Sequence, residues 1–171
     1  MEVRAFFCYR LLMPRGLPSP SFAVLALALL GTSACTVDSS SIASTVQTSI
    51  VVRSNALVGA YGCGTKTGQV FRYAVTVRPP SDSTQPPVGG VWDCYADATF
   101  ASLAASSSGQ PFTLEIFAFD ATAYRGAPDA IEQAAAAANT AALAGLATRR
   151  TSCTATQQSS VTVLANCGPL H

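Results

Sequence analysis

The fold of this chain is decided by one stretch, Phe112-Thr-Leu-Glu-Ile-Phe-Ala-Phe-Asp120. It is the most apolar strand-like run beyond residue 35, and only Thr113 and Glu115 interrupt its apolar character. A strand that is apolar on both faces is typical of the interior of a covered sheet, so we predict a central position. Asp120 ends the run and is expected to cap the following turn, with cation binding as the less common alternative.

Much of the chain around this stretch has the period-two alternation of β-strands. The predicted strands span residues 50–52, 56–61, 70–78, 91–101, 112–120, 151–156 and 161–167. The run 70–78 places its apolar residues on one face, which predicts a half-buried strand. The last two strands are predicted to form a hairpin, and exposed loops span residues 79–90 and 102–111.

One segment, residues 128–148, has a helical pattern. Pro128 suits the first helical position, and Asp129 favours the positive end of the helix dipole. Five consecutive alanines, residues 134–138, have the highest intrinsic helix propensity. The segment predicts one Ala-rich helix that packs closely on a sheet, with a disordered Ala-rich insert as the alternative.

These elements predict a mainly β fold in which residues 50–171 form a single disulfide-bonded domain. We expect an immunoglobulin- or transthyretin-like β-sandwich of six to seven strands, with the Ala-rich helix inserted before the last hairpin. The Cys-Trp-Cys spacing of immunoglobulin domains is absent, because only one residue separates Trp92 from Cys94. The topology therefore stays open.

Four cysteines lie in this domain: Cys63, Cys94, Cys153 and Cys167. An even number in an exported domain predicts two disulfides, for which three connectivities exist. In the predicted hairpin Cys153 and Cys167 would be diagonal neighbours about 7–8 Å apart, which is long for a disulfide. We therefore expect the long-range pairs Cys94–Cys153 and Cys63–Cys167. No CxxC spacing occurs and His171 is the only histidine, so no metal site is expected.

The amino-terminal part of the chain has the three parts of a secretory signal peptide. A basic segment precedes the uncharged run Phe22–Leu30, and small residues follow it. The nine apolar residues of this run are about half of what a bilayer span needs. The next stretch, Leu29-Leu-Gly-Thr-Ser-Ala-Cys35, resembles a bacterial lipobox, although Thr32 stands where Leu is usual.

The lipobox resemblance implies that residues 1–34 are a lipoprotein signal peptide and that Cys35 carries acyl chains such as palmitate. Several acyl chains hold a protein on a membrane durably. Residues 35–49 would then be the lipidated Cys and a flexible tether of small polar residues. Thr36, and not Asp, follows Cys35, which by resemblance to Gram-negative lipoproteins implies the outer membrane. The alternative is a plain secretory peptide that is cleaved after Ala34.

Charge and motif content argue against several functions. Beyond residue 35 there are seven basic and eight acidic side chains, so no basic patch for nucleic acid is present. The glycine-rich segment 62–68 lacks the adjacent Gly-Lys of a phosphate-binding loop and is interpreted as a turn. Asp93 and Asp97 would lie roughly 13 Å apart on one strand, too far for catalysis by paired carboxylates.

We therefore expect a bacterial envelope lipoprotein with a non-catalytic binding or structural role, without a cofactor. It would contact the membrane through its lipid anchor at Cys35, and an envelope protein or glycan through the loops 79–90 and 102–111. A sandwich could place these loops at opposite ends, and the domain is expected to be a monomer. Two alternatives stay open: a secreted or periplasmic enzyme of unidentified carboxylate chemistry, and an unlipidated periplasmic binding domain.

Overall fold

The structure, a computed structural model, describes residues 47–157 and 162–171. In chain order the elements are β1 (Gln47–Val52), α1 (Ser54–Val58), β2 (Arg72–Arg78), β3 (Val88–Asp93), β4 (Ala98–Ala104), β5 (Phe112–Phe119), α2 (Ala121–Gly126), α3 (Pro128–Ala136), α4 (Thr140–Leu146), β6 (Arg149–Ala155) and β7 (Thr162–Ala165). The predicted signal peptide, Cys35 and the predicted tether up to residue 46 lie outside the described residues. The last three residues of that tether, 47–49, belong to β1.

The described strands form two sheets. The larger has four strands in the order β3-β2-β5-β6, and the smaller has three in the order β4-β1-β7. Neighbouring strands are antiparallel, except that β1 and β7 run parallel. Because β5 lies between β2 and β6, the predicted interior position of the 112–120 strand is confirmed. The mainly β prediction is also confirmed, while the immunoglobulin or transthyretin likeness stays a prediction.

An apolar core lies between the two sheets. Alternate residues of β5 contribute to it, and Phe112, Leu114 and Ile116 are fully buried there. Buried residues of β1 and β2 pack in the same core: Ile50, Val52, Tyr73, Val75 and Val77. Because burying one large apolar side chain contributes roughly 1.5–3 kcal/mol, this core is the main support of the fold.

A second core covers the opposite face of the four-stranded sheet. Phe117 and Phe119, on the other face of β5, pack there with Ile131 of α3 and Leu143 of α4. β2 is therefore buried on both faces along most of its length, and the prediction of a half-buried strand was wrong. The sequence pattern could not show this, because the helices that cover β2 come from a distant part of the chain. The described residues thus form three layers: the small sheet, the large sheet and the helices.

The helical layer approaches the large sheet very closely at β3. A Cβ atom at Gly89 would clash with the backbone carbonyl oxygen of Ala135 in α3. Small side chains on both elements permit this approach, as the alanine-rich sequence predicted. Gly89 is therefore required by contact between two elements.

The predicted single helix over 128–148 is wrong, because the segment contains two helices. Ala138 has a φ of +47°, which lies in the left-handed region and ends the helical run after α3. Asn139 then caps α4, where its side chain accepts a hydrogen bond from the Ala142 N–H at 3.1 Å. Pro128 stands in the first turn of α3, as predicted.

A further helix, α2, follows β5 directly. The Asp120 carboxylate caps it by accepting a hydrogen bond from the Ala123 N–H at 2.8 Å. The capping role predicted for Asp120 is confirmed.

Two strand predictions were wrong. The predicted strand 91–101 is broken by a turn at residues 94–97, so that β3 belongs to the large sheet and β4 to the small one. The predicted strand 56–61 is instead α1 followed by a 3₁₀ turn, Gly59–Tyr61. The Asp97 carboxylate accepts a hydrogen bond from the Ser54 N–H at 2.9 Å, which satisfies a free donor at the start of α1.

The predicted disulfide pairs Cys94–Cys153 and Cys63–Cys167 were also wrong. The cysteines pair as Cys63–Cys94 and Cys153–Cys167, with Cα–Cα distances of 5.6 and 5.0 Å. The prediction assumed a hairpin between the last two strands, but β6 belongs to the large sheet and β7 to the small one. Because the two strands do not pair side by side, the diagonal distance in a hairpin does not apply. The Cys153–Cys167 disulfide links the edge of one sheet to the segment after the other.

Candidate functional site

A surface cavity of about 630 Å³ lies where β2 begins and β3 ends. We call it the corner cavity. It is lined by residues of three segments, the glycine-rich loop, the approach to β2 and the turn after β3: Gly64, Thr65, Phe71, Asp93, Tyr95 and Ala96. Cys94 also contributes to the lining, and the volume is in the range of roughly 300–1,000 Å³ that is usual for small-ligand pockets.

The turn between β3 and β4 is fixed by several interactions. The Ala96 N–H donates to the Asp93 carbonyl at 2.9 Å, and the Tyr73 hydroxyl donates to the Ala96 carbonyl at 2.5 Å. Burial of Tyr73, with the nearby Asp97 carboxylate as the second cause, raises the pKa of its hydroxyl, so it remains a donor at neutral pH. The Cys63–Cys94 disulfide ties the turn to the glycine-rich loop. The wall of the cavity is therefore preformed.

The glycine-rich loop closes on itself through backbone hydrogen bonds. The Val70 N–H donates to the Gly62 carbonyl at 3.0 Å, and the Gly64 N–H donates to the Val70 carbonyl at 2.9 Å. Gly68 has a φ of +85°, a conformation that favours glycine. The next regular element is β2 and not a helix, in agreement with the interpretation of residues 62–68 as a turn.

Tyr95 is the large exposed side chain of the corner cavity. It is 80% exposed, and the other exposed large hydrophobic side chain in the described part of the chain is Leu164, at 54%. The Tyr95 hydroxyl donates to the Cys63 carbonyl at 3.1 Å, and its backbone directly follows the disulfide-bonded Cys94. The ring is thus held at both ends while most of it stays in water. Tyrosine rings presented in this way are favourable contact surfaces, because they offer a large apolar area with a polar end.

A charged pair lies beside this aromatic residue. The Arg72 guanidinium is 3.0 Å from the Asp93 carboxylate. It also lies over the Tyr124 ring, 5.1 Å from the centroid, and 5.9 Å from the Phe71 centroid. Arg125 of α2 lies 5.4 Å from the Phe71 centroid. These contacts orient Arg72, and the Asp93 side chain, 64% exposed, remains open to the cavity.

Tyr124 joins the helical layer to this cluster. Its hydroxyl donates a hydrogen bond of 2.6 Å to the Glu132 carboxylate. Burial is the largest cause that raises the pKa of Tyr124, and the bond to Glu132 adds to it. The phenol therefore stays protonated and keeps α2 and α3 in contact next to Arg72.

A second opening, of about 480 Å³, lies on the helical face of the large sheet, at the part that the helices leave uncovered. We call it the sheet-face cleft. Its lining includes polar groups of β5, β6 and α4, namely Glu115, Thr140, Arg150 and Ser152, together with His171 after β7. His171 lies there because its backbone exchanges hydrogen bonds of 3.1 and 3.3 Å with Arg150. Within the described lining Glu115 is the single side chain that carries a carboxylate.

The two loops predicted as binding surfaces lie together and not at opposite ends. The Asp82 carboxylate accepts hydrogen bonds from the hydroxyls of Ser106, Ser107 and Ser108 at 2.8, 3.2 and 2.9 Å. These bonds, that of Ser106 above all, lower the pKa of Asp82 from 3.8 to about 2. Gln85 adds a contact to the Ala104 N–H at 2.7 Å. The loops therefore satisfy their polar groups largely with each other.

The remaining predicted site residues have structural roles or cannot be placed. All four domain cysteines are in disulfides, and Cys35 lies outside the described residues. Asp93 and Asp97, which were predicted on one strand face, lie on either side of the turn. Asp93 forms an ion pair with Arg72, and Asp97 accepts a hydrogen bond from the Ser54 N–H at the start of α1.

Sequence reasoning missed Phe71 and Tyr95 as site residues. They are 24 positions apart, and the strand pattern assigned Phe71 to a buried face and Tyr95 to a solvated one. One signal was available: Tyr95 is a large aromatic residue directly after a half-cystine, where the backbone is restrained.

Comparison with known proteins finds no matching family model, no similar curated protein and no similar solved structure. In residues 47–157 and 162–171 no cluster of three or more metal-ligating side chains occurs. The same residues contain no helix that could span a bilayer. The two disulfides indicate a non-cytoplasmic, oxidising compartment. The chain is therefore a disulfide-stabilised, mainly β protein of such a compartment, with a preformed surface cavity.

Proposed function

We propose that this protein is a bacterial envelope lipoprotein, held at the outer membrane through Cys35, whose domain binds an envelope component without catalysis. The signal-peptide pattern and the lipobox resemblance support the anchor. The two disulfides support export, because such bonds persist in oxidising compartments.

The observation that carries the binding role is the corner cavity, with Tyr95 held at both ends and 80% exposed. A ring fixed before binding loses little conformational freedom when a partner covers it. Asp93 is paired with Arg72 at 3.0 Å, which fixes the position of this carboxylate at the wall of the cavity.

The anchor is tested by mass spectrometry of the protein purified from membranes, with Cys35→Ser as the variant and Cys8→Ser as the matched control. We expect a mature chain that begins at an acylated Cys35, both in the wild type and in the Cys8 variant. The Cys35 variant should lack the acyl chains and leave the outer-membrane fraction. A mature chain that starts after Ala34 with an unmodified residue would establish the unlipidated alternative.

The binding role is tested with the mature protein reconstituted in liposomes through its own anchor and mixed with purified envelope fragments. Tyr95→Ala should reduce the amount of bound envelope material several-fold, because it removes the exposed ring. Leu164→Ala is the control, since it removes the other exposed large apolar side chain. Equal binding by both variants and the wild type would refute the assignment of function to the corner cavity.

A further inference from the structure

We propose that the ligand of the corner cavity is a neutral saccharide; this inference rests on the binding role proposed above. The two faces of a sugar ring carry C–H groups, and the negatively charged face of an aromatic ring attracts them. Tyr95 offers such a face, since it is 80% exposed and is fixed through its hydroxyl and through Cys94. Phe71, half-buried in the same lining, adds a second apolar surface.

The polar groups of the cavity suit sugar hydroxyls, which both donate and accept hydrogen bonds. Asp93 is an acceptor with a 64% exposed side chain. Its partner Arg72, 32% exposed, carries only donors and lies beside the lining. Thr65 supplies a hydroxyl that can do either. An aromatic face next to an acceptor and a donor can hold a sugar ring in two ways. The aromatic side chain contacts one face of the sugar, and the polar groups bond to the hydroxyls at its edge.

The charges of the cavity favour a neutral ligand over an anion or a cation. Asp93 is the one charged side chain of the described lining, and Arg72, which lies outside the lining, pairs with it at 3.0 Å. A phosphate would need a guanidinium free to form a forked pair, and this one is already bound to a carboxylate. A cationic ligand would have to compete with Arg72 for Asp93. The open volume of about 630 Å³ has room for a short oligosaccharide.

This binding surface differs from the one expected from sequence. The loops 79–90 and 102–111 are rich in hydroxyls but have no clustered aromatic residues, and in the structure their hydroxyls bond to Asp82. The corner cavity brings Phe71 and Tyr95 into one lining from separate segments of the chain. The aromatic surface that the loops lack is therefore present at the other end of the strands.

The test is calorimetric titration of the detergent-solubilised mature protein with neutral oligomers of glucose, galactose, mannose and N-acetylglucosamine. Inorganic phosphate and an apolar tripeptide are the competing probes. We expect one neutral oligosaccharide to bind in the millimolar range or tighter. Tyr95→Ala should weaken its binding about tenfold, while Tyr95→Phe, which keeps the ring, stays within about threefold of the wild type.

Asp93→Asn should also weaken binding, and thermal unfolding of this variant shows whether loss of the ion pair has disturbed the fold. Leu164→Ala, the control on the small sheet, should bind like the wild type. The proposal is overturned if no neutral oligosaccharide binds at millimolar concentration, if phosphate or the tripeptide binds instead, or if Tyr95→Ala binds sugar normally. If Tyr95→Ala binds fewer envelope fragments than the wild type but no sugar binds to the wild type, only the saccharide assignment fails. If the wild type binds neither envelope fragments nor sugar, the proposed binding function fails as well.

Discussion

The two faces of the four-stranded sheet are covered in different ways, although the same strands present both. On the face toward the small sheet, large side chains interlock and Phe112, Leu114 and Ile116 are fully buried. On the face toward the helices, alanines bring the backbones close, and the cover ends before Glu115, which remains partly exposed in the sheet-face cleft. The sandwich face therefore holds the fold, while the helical face leaves polar surface open.

The disulfides strengthen the same asymmetry. Cys94 and Cys167 are buried in the core between the sheets, and Cys63 and Cys153 pack against it. In the described residues neither disulfide involves the helical layer. Covalent links therefore secure the layer that already has the larger side chains.

The largest effect should come from truncating matched phenylalanines of β5 on the two faces. Phe112→Ala should lower the free energy of unfolding by about 4–5 kcal/mol, because it leaves a closed cavity between the sheets. Phe117→Ala should cost nearer 3 kcal/mol, because Phe117 borders the open sheet-face cleft, where water can fill the vacated space. Chemical denaturation of the two variants measures the difference.

Equal costs for the two phenylalanine variants would contradict the asymmetry, and a larger cost for Phe117→Ala would reverse it. The slopes of the two denaturation curves serve as the control. If they match the wild type, the difference belongs to the folded state and not to a changed unfolded chain.

The next largest effect concerns the two disulfides. They join residues 31 and 14 positions apart, so the chain-entropy model gives stabilisation of about 3.7 kcal/mol for Cys63–Cys94 and about 3.0 kcal/mol for Cys153–Cys167. Replacing each pair by two alanines and measuring unfolding in denaturant tests this order. Peptide mapping without reduction must first show these two pairs. A fragment that joins Cys94 to Cys153 would refute the connectivity and with it the preformed corner.

The contact between α3 and β3 gives a smaller effect. Gly89→Ala should destabilise the protein by about 1–3 kcal/mol, because the new Cβ displaces the Ala135 carbonyl and with it the helix. Gly145→Ala is the matched control in α4, where a Cβ meets open space, and it should be neutral or slightly stabilising. The thermal unfolding temperatures of both variants, compared with the wild type, measure the two effects. If Gly89→Ala is tolerated like Gly145→Ala, the helical layer is not held by close backbone contact.

The sequence predicted those elements whose cause is local. The pattern of Phe112–Asp120 was enough to place β5 inside a sheet, because an apolar strand on both faces needs cover on both sides. Pro128 and Asp120 were read correctly, since caps and first-turn prolines act within a few residues.

The elements that were mispredicted depend on contacts between distant residues. The alternation through residues 91–101 gives no sign of the turn at 94–97, which is held by the Tyr73 hydroxyl from another strand. α1 is short, and the Ser54 N–H at its start donates to the Asp97 carboxylate, 43 positions away. The break at Ala138 requires a positive φ, which an alanine in the sequence does not indicate. Asn139, in contrast, is a residue type that often caps helices, and it caps α4. The corner cavity was missed for the same reason, because its lining comes from three separate segments.

The smallest effect concerns the end of the strands opposite the corner, where Asp82 and the serines 106–108 join two loops with no disulfide. The hydrogen bonds lower the pKa of Asp82 from 3.8 to about 2, led by that of Ser106. Because the pKa in the folded protein is lowered, the stabilising contribution is complete well above pH 3.8 and is lost as the pH falls through about 2. Proton NMR titration should therefore show the Ser108 amide shifting near pH 2, with the core resonances unchanged.

Ser108→Ala should raise the pKa of Asp82, because it removes the hydroxyl donor at 2.9 Å. Ser83→Ala is the control in the same loop, since the Ser83 hydroxyl accepts from the Gln85 N–H at 3.1 Å. If both variants titrate like the wild type, the serine hydroxyls do not set the charge state of Asp82. If the core resonances change at the same pH as the Ser108 amide, the contact between the two loops is coupled to the core between the sheets.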